Sequence, residues 1–262
     1  MPRPDGRAFD APRPLEIIPH FHRNAEGSVL YRAGHTVVLC TASIDSSVPA
    51  WMTGKGSGWL TAEYQMHPRS SPTRRESRDG RGKAPSGRTQ EIQRLIGRAL
   101  RSAIDLAALG ERSLMVDCDV LEADGGTRTA SITGSFIAVA IALDKLRVSG
   151  QLTRPVVREL VSAISVGLVE DKSAGDSPKH ELAVDLVYEE DSKARVDLNL
   201  VATDKGRVIE VQGTAEGEPI ERATLDRMID AGLATTSALC ARQRAVLTQV
   251  GVDLDKLLIP RS

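Results

Sequence analysis

Between residues 113 and 146 the chain reads "SLMVDCDVL", then "EADGGTRTAS", then "ITGSFIAVAIALDKL". The first piece alternates apolar and polar residues, the period of a strand with one buried face. The last is a long apolar run without proline and reads as a helix to about Leu146. A strand must therefore hand over to a helix across two glycines, one arginine and three hydroxyls. A helix start leaves backbone N–H groups without partners, and its dipole favours an anion. Gly125 and Gly126 would let the backbone approach closely, Thr127, Thr129 and Ser131 can donate, and Arg128 adds a planar fork suited to phosphate oxygens. The same residues also fit a plain helix start capped by Thr or Ser, with Arg128 on the surface. From this segment alone the two readings stand level. No Walker lysine is present, so a nucleoside triphosphate is not the natural ligand.

The rest of the chain supplies the context. Its 262 residues suffice for one large domain or two small ones that share a core. Aromatics make up only 3%, so Leu, Val, Ile and Ala must fill that core. Residues 27–44 read as a hairpin turning at Ala33-Gly34-His35, and the "GKGSG" that follows lacks the strand-to-helix setting of a nucleotide loop. Residues 86–109 carry a helical stripe from Ile92 to Ile104, ended by Gly110. "RPVVRELVSAISVGLVE" reads as a helix or helical turn leading into a strand. Residues 181–214 give three alternating strands, the last two joined by "TDKGR", and residues 221–250 form a final amphipathic helix. The order, strands and helices twice over, indicates an α+β or α/β fold with mixed sheets. Residues 1–15 read as an extended arm and 251–262 as a C-terminal tail to a domain over 1–250.

The formal net charge is -1, yet it hides an asymmetry. Between Arg69 and Arg101 lie nine arginines and one lysine against three acids. The part from Arg69 to Lys83 is nearly free of apolar residues and reads as an exposed, mobile loop. Such a loop suits a polyanion better than a small ligand, which favours nucleic acid. In "YEEDSKARVDLNL", Asp191 and Asp197 are six apart. They share a face if the run is one strand, and can meet if a turn at Ser192-Lys193 divides it. Two carboxylates can hold Mg²⁺, or one can protonate a leaving oxygen; a solvated acidic sheet face is the plainer reading. The histidines form no metal spacing, and no G-x-S-x-G occurs. Cys40, Cys118 and Cys240 sit in apolar segments and read as buried free thiols in a reducing cytoplasm. No stretch reads as a signal peptide or a bilayer span, so no membrane is expected.

Taken together, "SGRTQEIQRLIGRALR", "DCDVLEADGGTRTASITGSF" and "YEEDSKARVDLNLV" resemble the ribonuclease PH family of phosphorolytic exoribonucleases. "RPDGR", "EGSVLYRAGHTVVLCTAS", "GWLTAEYQMHPR" and "VIEVQGTAEG" extend the likeness from about Arg3 to the final helix, in order. The resemblance implies a single α+β domain built on a duplicated β-α-β unit, assembled as a homohexamer, a trimer of dimers. It implies removal of 3′-terminal nucleotides from tRNA precursors and other RNA ends by inorganic phosphate, releasing nucleoside diphosphates, with Mg²⁺ as metal. By the same likeness Arg88, Gly126, Thr127, Arg128 and Ser131 bind phosphate. Asp191 and Asp197 are catalytic and hold metal, and Arg69, Arg74 and Arg75 grip RNA. The arginine loop departs from the family's spacing around Arg75, and the region near residue 175 and the tail are longer than usual. The rivals are a domain of polynucleotide phosphorylase, an exosome ring subunit, or a ring protein that binds RNA without cleaving it.

Overall fold

The computed structural model describes residues 3–72, 75, 84–171 and 180–260. Arg74 and most of the basic loop thus lie outside the described residues. The first half builds β1 (Leu15–Pro19), β2 (Gly27–Ala33), β3 (Thr36–Asp45), β4 (Trp59–Met66), α1 (Gly87–Ala103), α2 (Leu106–Leu109) and β5 (Ser113–Glu122). Helix α3 (Thr127–Val148) leads into β6 (Val161–Glu170), β7 (His180–Val184), α4 (Tyr188–Asp191), β8 (Val196–Thr203) and β9 (Val208–Ala215). The chain closes with α5 (Arg222–Gln249) and α6 (Leu254–Leu257). One sheet runs β1-β2-β3-β5-β4, with β4 parallel to β5 and the other pairs antiparallel. The other, β7-β6-β8-β9, is antiparallel throughout.

Helix α3 packs on β2 and β3 of the first sheet, on β6 of the second, and on α5. Protein surrounds it, which is why its sequence shows no polar stripe. By length and hydropathy it meets the test for a bilayer span, contrary to the sequence reading, but 94% of the relevant window is buried inside the fold. The strand before it alternates as expected: Leu114, Val116, Cys118 and Val120 are buried, while Met115, Asp117, Asp119 and Leu121 face out. The second sheet stacks Val166, Val196, Leu198 and Leu200 against Met228 and Leu239 of α5. All three cysteines are free and buried.

Three expectations from local pattern change. The helix expected through Leu109 stops at Ala103, and Asp105 starts a second turn by accepting from the N–H groups of Ala107 (3.0 Å) and Ala108 (3.2 Å). An aspartate that bonds nearby backbone competes with helix continuation. Residues 155–160 are extended, not helical: Val157 bridges Ile104 on one side and Leu258 on the other. The residues read as a tail are docked there, with Val252, Leu254 and Leu257 in the main core and Val157 N donating to Leu257 O at 2.8 Å. A segment of alternating local character was thus claimed by long-range pairing.

Gly27 allows α3 to lie directly on β2. A Cβ there would fall 1.8 Å from the carbonyl oxygen of Ala138 and 3.0 Å from the nitrogen of Ala142. Both neighbours are helix backbone and cannot rotate aside. Gly27→Ala is expected to destabilise the fold by about 2–3 kcal/mol, the scale of an overpacked core. A urea titration would show this as a lower midpoint at unchanged slope; an unshifted midpoint would mean that helix and sheet are not in contact here.

Candidate active site

The phosphate-like loop joins β5 to α3. Gly126 stands at the helix start in the left-handed region (φ 65°, ψ 21°), and no side chain caps the first turn. Thr129 Oγ1 donates back to Gly126 O at 2.9 Å, and Ser131 Oγ donates to Thr127 O at 2.8 Å. The capped-helix reading therefore fails, and the leading N–H groups of α3 are not satisfied by a side chain. The hydroxyls of Thr127 and Tyr64 are hydrogen-bonded at 2.9 Å, so β4 fixes Thr127 from below. Ser131 is fully buried and does not line the cavity in front of the loop. Its place one turn into a helix surrounded by protein explains why it is not brought to the other candidates. The two glycines also do something unforeseen. A Cβ on Gly125 would fall 2.4 Å from Leu186 O and 2.9 Å from Tyr188 N, so the pair lets the two halves of the chain touch.

In front of the loop opens a cavity of about 1140 Å³ whose lining includes Arg69, Arg88, Gly126, Thr127, Arg128, Asp191 and Asp197. Arg88 sits on the first turn of α1, which Ser86 caps by accepting from Thr89 N at 3.1 Å. Arg128 is aimed by Gln212 of β9, whose Oε1 accepts from it at 3.1 Å, with Glu91 4.0 Å away. Asp197 lies on β8 between Val196 and Leu198, both in the core, and so points to the opposite face, as alternation requires. Asn199, two residues on, and Ser165, its partner across β6, line the same cavity. Arg69 is exposed at one end of it; Arg75 is exposed and outside the lining.

Asp191 reaches the cavity by the second of the expected routes in part. The turn at Ser192-Lys193 does divide the run, but the segment before it, which Asp191 ends, is the short helix α4 rather than a strand. Glu190, one residue earlier, accepts from Val187 N at 3.1 Å and from Arg3 Nε and Nη2, both at 2.7 Å. Withdrawal from water raises the Asp191 pKa, and the Asp197 charge raises it further, while Arg128 and Arg88 pull it down. Asp197, Arg128 and Arg88 thus all lie within electrostatic reach of Asp191.

A second arginine braces the loop from behind. Arg13 is buried, and its backbone N, Nε and Nη2 donate to the Asp185 carboxylate at 2.7, 3.0 and 2.7 Å. Its Nη1 donates to Asp124 O at 2.7 Å. Burial disfavours both charges, yet their mutual bonds prevail: the Arg13 pKa is raised and that of Asp185 lowered.

Family comparison matches residues 11–143 to domain 1, and residues 159–235 to domain 2, of the 3′ exoribonuclease family. Ribonuclease PH of Mycobacterium avium (strain 104) is 52% identical over 248 residues, covering 94% of this chain and 91% of the relative. The chain belongs to the 3′ exoribonuclease family. Ribonuclease PH of Mycobacterium tuberculosis (strain CDC 1551 / Oshkosh) is 50% identical over the same span of 248 residues. Among solved structures, rice (Oryza sativa) Rrp46 superposes with a TM-score of 0.73 at 18% identity, covering 94% of this chain and 100% of the other. The Archaeoglobus fulgidus exosome with RNA bound to the active site gives 0.71 at 25% identity, with 92% of each chain covered. The fold is thus the α+β arrangement of this family, and the enzyme is a phosphorolytic 3′ exoribonuclease of the ribonuclease PH type.

For this exoribonuclease, sequence reasoning missed Tyr64, Gln212, Arg13 and Asp185, none of which belongs to a charged cluster. Gln212 is the most recoverable: it is a polar residue on strand β9, within the motif "VIEVQGT". Asp185 offered less, yet it adopts φ 55°, a conformation open to Asn as well. Asp185→Asn should therefore keep the backbone while removing the charge. It is expected to cost about 3 kcal/mol in urea, the lower end for an orphaned buried ion. An Asn variant as stable as the parent would show that the pair does not brace the seam.

Asp191 is expected to behave in the opposite sense. A carboxyl whose folded pKa is raised adds stability only when protonated, and that contribution is lost as pH rises through the folded pKa. Asp191→Asn should thus melt at a higher temperature than the parent at neutral pH. The gap should close as pH falls through the range above the ordinary 3.8. Differential scanning calorimetry from pH 7 to 4 checks it; a variant less stable at pH 7 would remove the like-charge account.

Proposed function

We propose that this chain trims the 3′ ends of tRNA precursors and other RNA by phosphorolysis, through the cavity between Arg88, the Thr127–Arg128 loop and the Asp191/Asp197 pair. One observation carries the reading: two arginines, an uncapped helix start and two carboxylates line a single cavity. Arg88, Arg128 and the N–H groups of α3 hold inorganic phosphate, an anion that must approach another anion. Positioning and charge neutralisation supply most of the rate. The phosphate oxygen forms a bond to the terminal phosphorus as the bond to the 3′ oxygen of the preceding nucleotide breaks. The proton carried by hydrogen phosphate ends on that 3′ oxygen, and a nucleoside diphosphate leaves. One phosphate ester bond is exchanged for a phosphoanhydride, and the reverse step adds nucleotides to RNA ends.

Asp191 and Asp197 fit Mg²⁺. Their mutual repulsion is what a cation relieves, and Mg²⁺ commonly takes one or two carboxylates, water and substrate phosphate. Among the described residues no set of three or more His, Cys, Asp or Glu converges, so Asp191 and Asp197 would hold the ion together with water and substrate oxygens. When bound, the ion would neutralise charge on the departing oxygen. Arg69, with Arg74 and Arg75, grips the RNA. The working form is a homohexamer, a trimer of dimers, in the cytoplasm, where the buried thiols stay reduced.

The test is an assay of tRNA extended at its 3′ end, with and without phosphate and Mg²⁺. Diphosphate products that require phosphate are expected. Arg128→Ala should raise KM for phosphate about ten-fold or more, the worth of a charge-assisted bond, without weakening tRNA binding. Asp197→Asn should lower kcat by about 10²–10³, as for loss of a charge-stabilising group. Monophosphate products would overturn the phosphorolytic reading. RNA binding with no product at all would favour the non-catalytic ring protein.

A further inference from the structure

Tyr188 is the first residue of α4 and, among the described residues, the only Phe, Trp or Tyr in the cavity lining. Aromatics are just 3% of this chain, and most have an evident place. Tyr31, Tyr64 and Phe136 are buried. Trp51 and Trp59 pack edge to face at 4.8 Å, and Phe9 packs on a small buried cluster. Tyr188 is 64% exposed, and among the described residues neither a ring contact nor a side-chain hydrogen bond holds its ring.

Its backbone, by contrast, is held from several sides. Tyr188 N donates to Asp124 Oδ1 at 3.2 Å. Gly125 sits so close that a Cβ would fall 2.9 Å from the same nitrogen. Glu190, tied to the buried Arg3, caps the turn that Tyr188 opens. A bare aromatic ring is thus carried on a fixed turn, three residues before Asp191 and beside the loop assigned to phosphate.

We infer that Tyr188 is the stacking platform for the base of the 3′-terminal nucleotide, the one to be removed. This rests on the phosphorolytic reading of the cavity and names how the RNA end is seated in it. Every base has a π-face, so one ring accepts all four, which an enzyme shortening RNA of any sequence requires. Stacking also explains why the ring is left exposed while its backbone is clamped: a platform must be open above and rigid beneath.

The experiment is equilibrium binding of short RNA oligonucleotides without phosphate, followed by steady-state kinetics. Parent, Tyr188→Phe and Tyr188→Ala proteins are compared on RNA ending in a purine, a pyrimidine or an abasic nucleotide. Tyr188→Ala should weaken binding of base-ended RNA about ten-fold, and Tyr188→Phe should bind as the parent does. Abasic-ended RNA should bind equally to all three, and KM for phosphate should not move. The same loss on abasic-ended RNA would overturn the platform, and so would a Phe variant as weak as Ala, which would shift the role to the hydroxyl. Because binding is read without turnover, the result stands apart from the chemistry. A parent that releases no diphosphates refutes the phosphorolytic reading instead.

Discussion

Arg13 and Asp185 stand 172 residues apart and meet where the two halves of the chain join. One guanidinium reaches the Asp185 carboxylate, the carbonyl of Asp124 before the phosphate loop, and the hydroxyl of Thr36 at the β2–β3 hairpin. Thr36 in turn donates to Gly125 O at 2.6 Å. The N-terminal arm, the first sheet, the loop and the end of β7 are thereby fixed to one another. Burying this pair costs hydration on both sides, and a well-packed apolar pair could stabilise the fold as much. What the ions add is direction: their bonds have defined geometry, and that geometry sets where Gly126 and Thr127 stand. Arg3 and Glu190 repeat the device a few residues on and set where Asp191 stands.

The candidate catalytic groups then follow from two ordinary elements. Helix α3 is packed between both sheets, so its N-terminus is held in place and its first N–H groups are set as a candidate anion seat. Strand β8 sends Val196 and Leu198 into the core, so Asp197 and Asn199 must face the cavity. Arg128 needs more than its backbone, because a long side chain has many rotamers; Gln212, paired along β9 with Glu210, removes that freedom. Glu210 also meets Arg98 of α1 at 3.2 Å, so a polar chain links both arginine-bearing helices to the second sheet.

What the sequence disclosed tracks how local each signal is. The alternation of β5 and β8, the stripe of α1 and the glycine turns at Gly34 and Gly206 are set by neighbours in sequence, and they were read correctly. The charged candidates, Arg88, Arg128, Asp191 and Asp197, were singled out through motif and resemblance, and the structure brings them to one cavity. Ser131 looked like a loop hydroxyl, but a helix already begun turned it inward to Thr127 O. Residues 155–160 and 252–258 misled because their partners lie far off in sequence, Val157 pairing with both Ile104 and Leu258, at a distance that no local period reports. The buried arginines of the arm were hidden for the same reason: beside proline and aspartate they look like solvated charge, and only tertiary structure supplies Asp185 and Glu190.

The polarity of the cavity is the remaining constraint. Two arginines without carboxylates would hold phosphate firmly but leave the departing oxygen unattended. Two carboxylates without arginines would repel both reactants. Set across one cavity, each pair lowers the cost of the other: Arg128 and Arg88 pull the Asp191 pKa down while burial and Asp197 push it up. The residual repulsion lowers the stability of the free protein, and a cation held between the two carboxylates would relieve it. A cavity that gathers like charges in this way is not at its own optimum when empty. That is why the brace behind it must be rigid: the fold, not the site, has to supply the stability that holds like charges together.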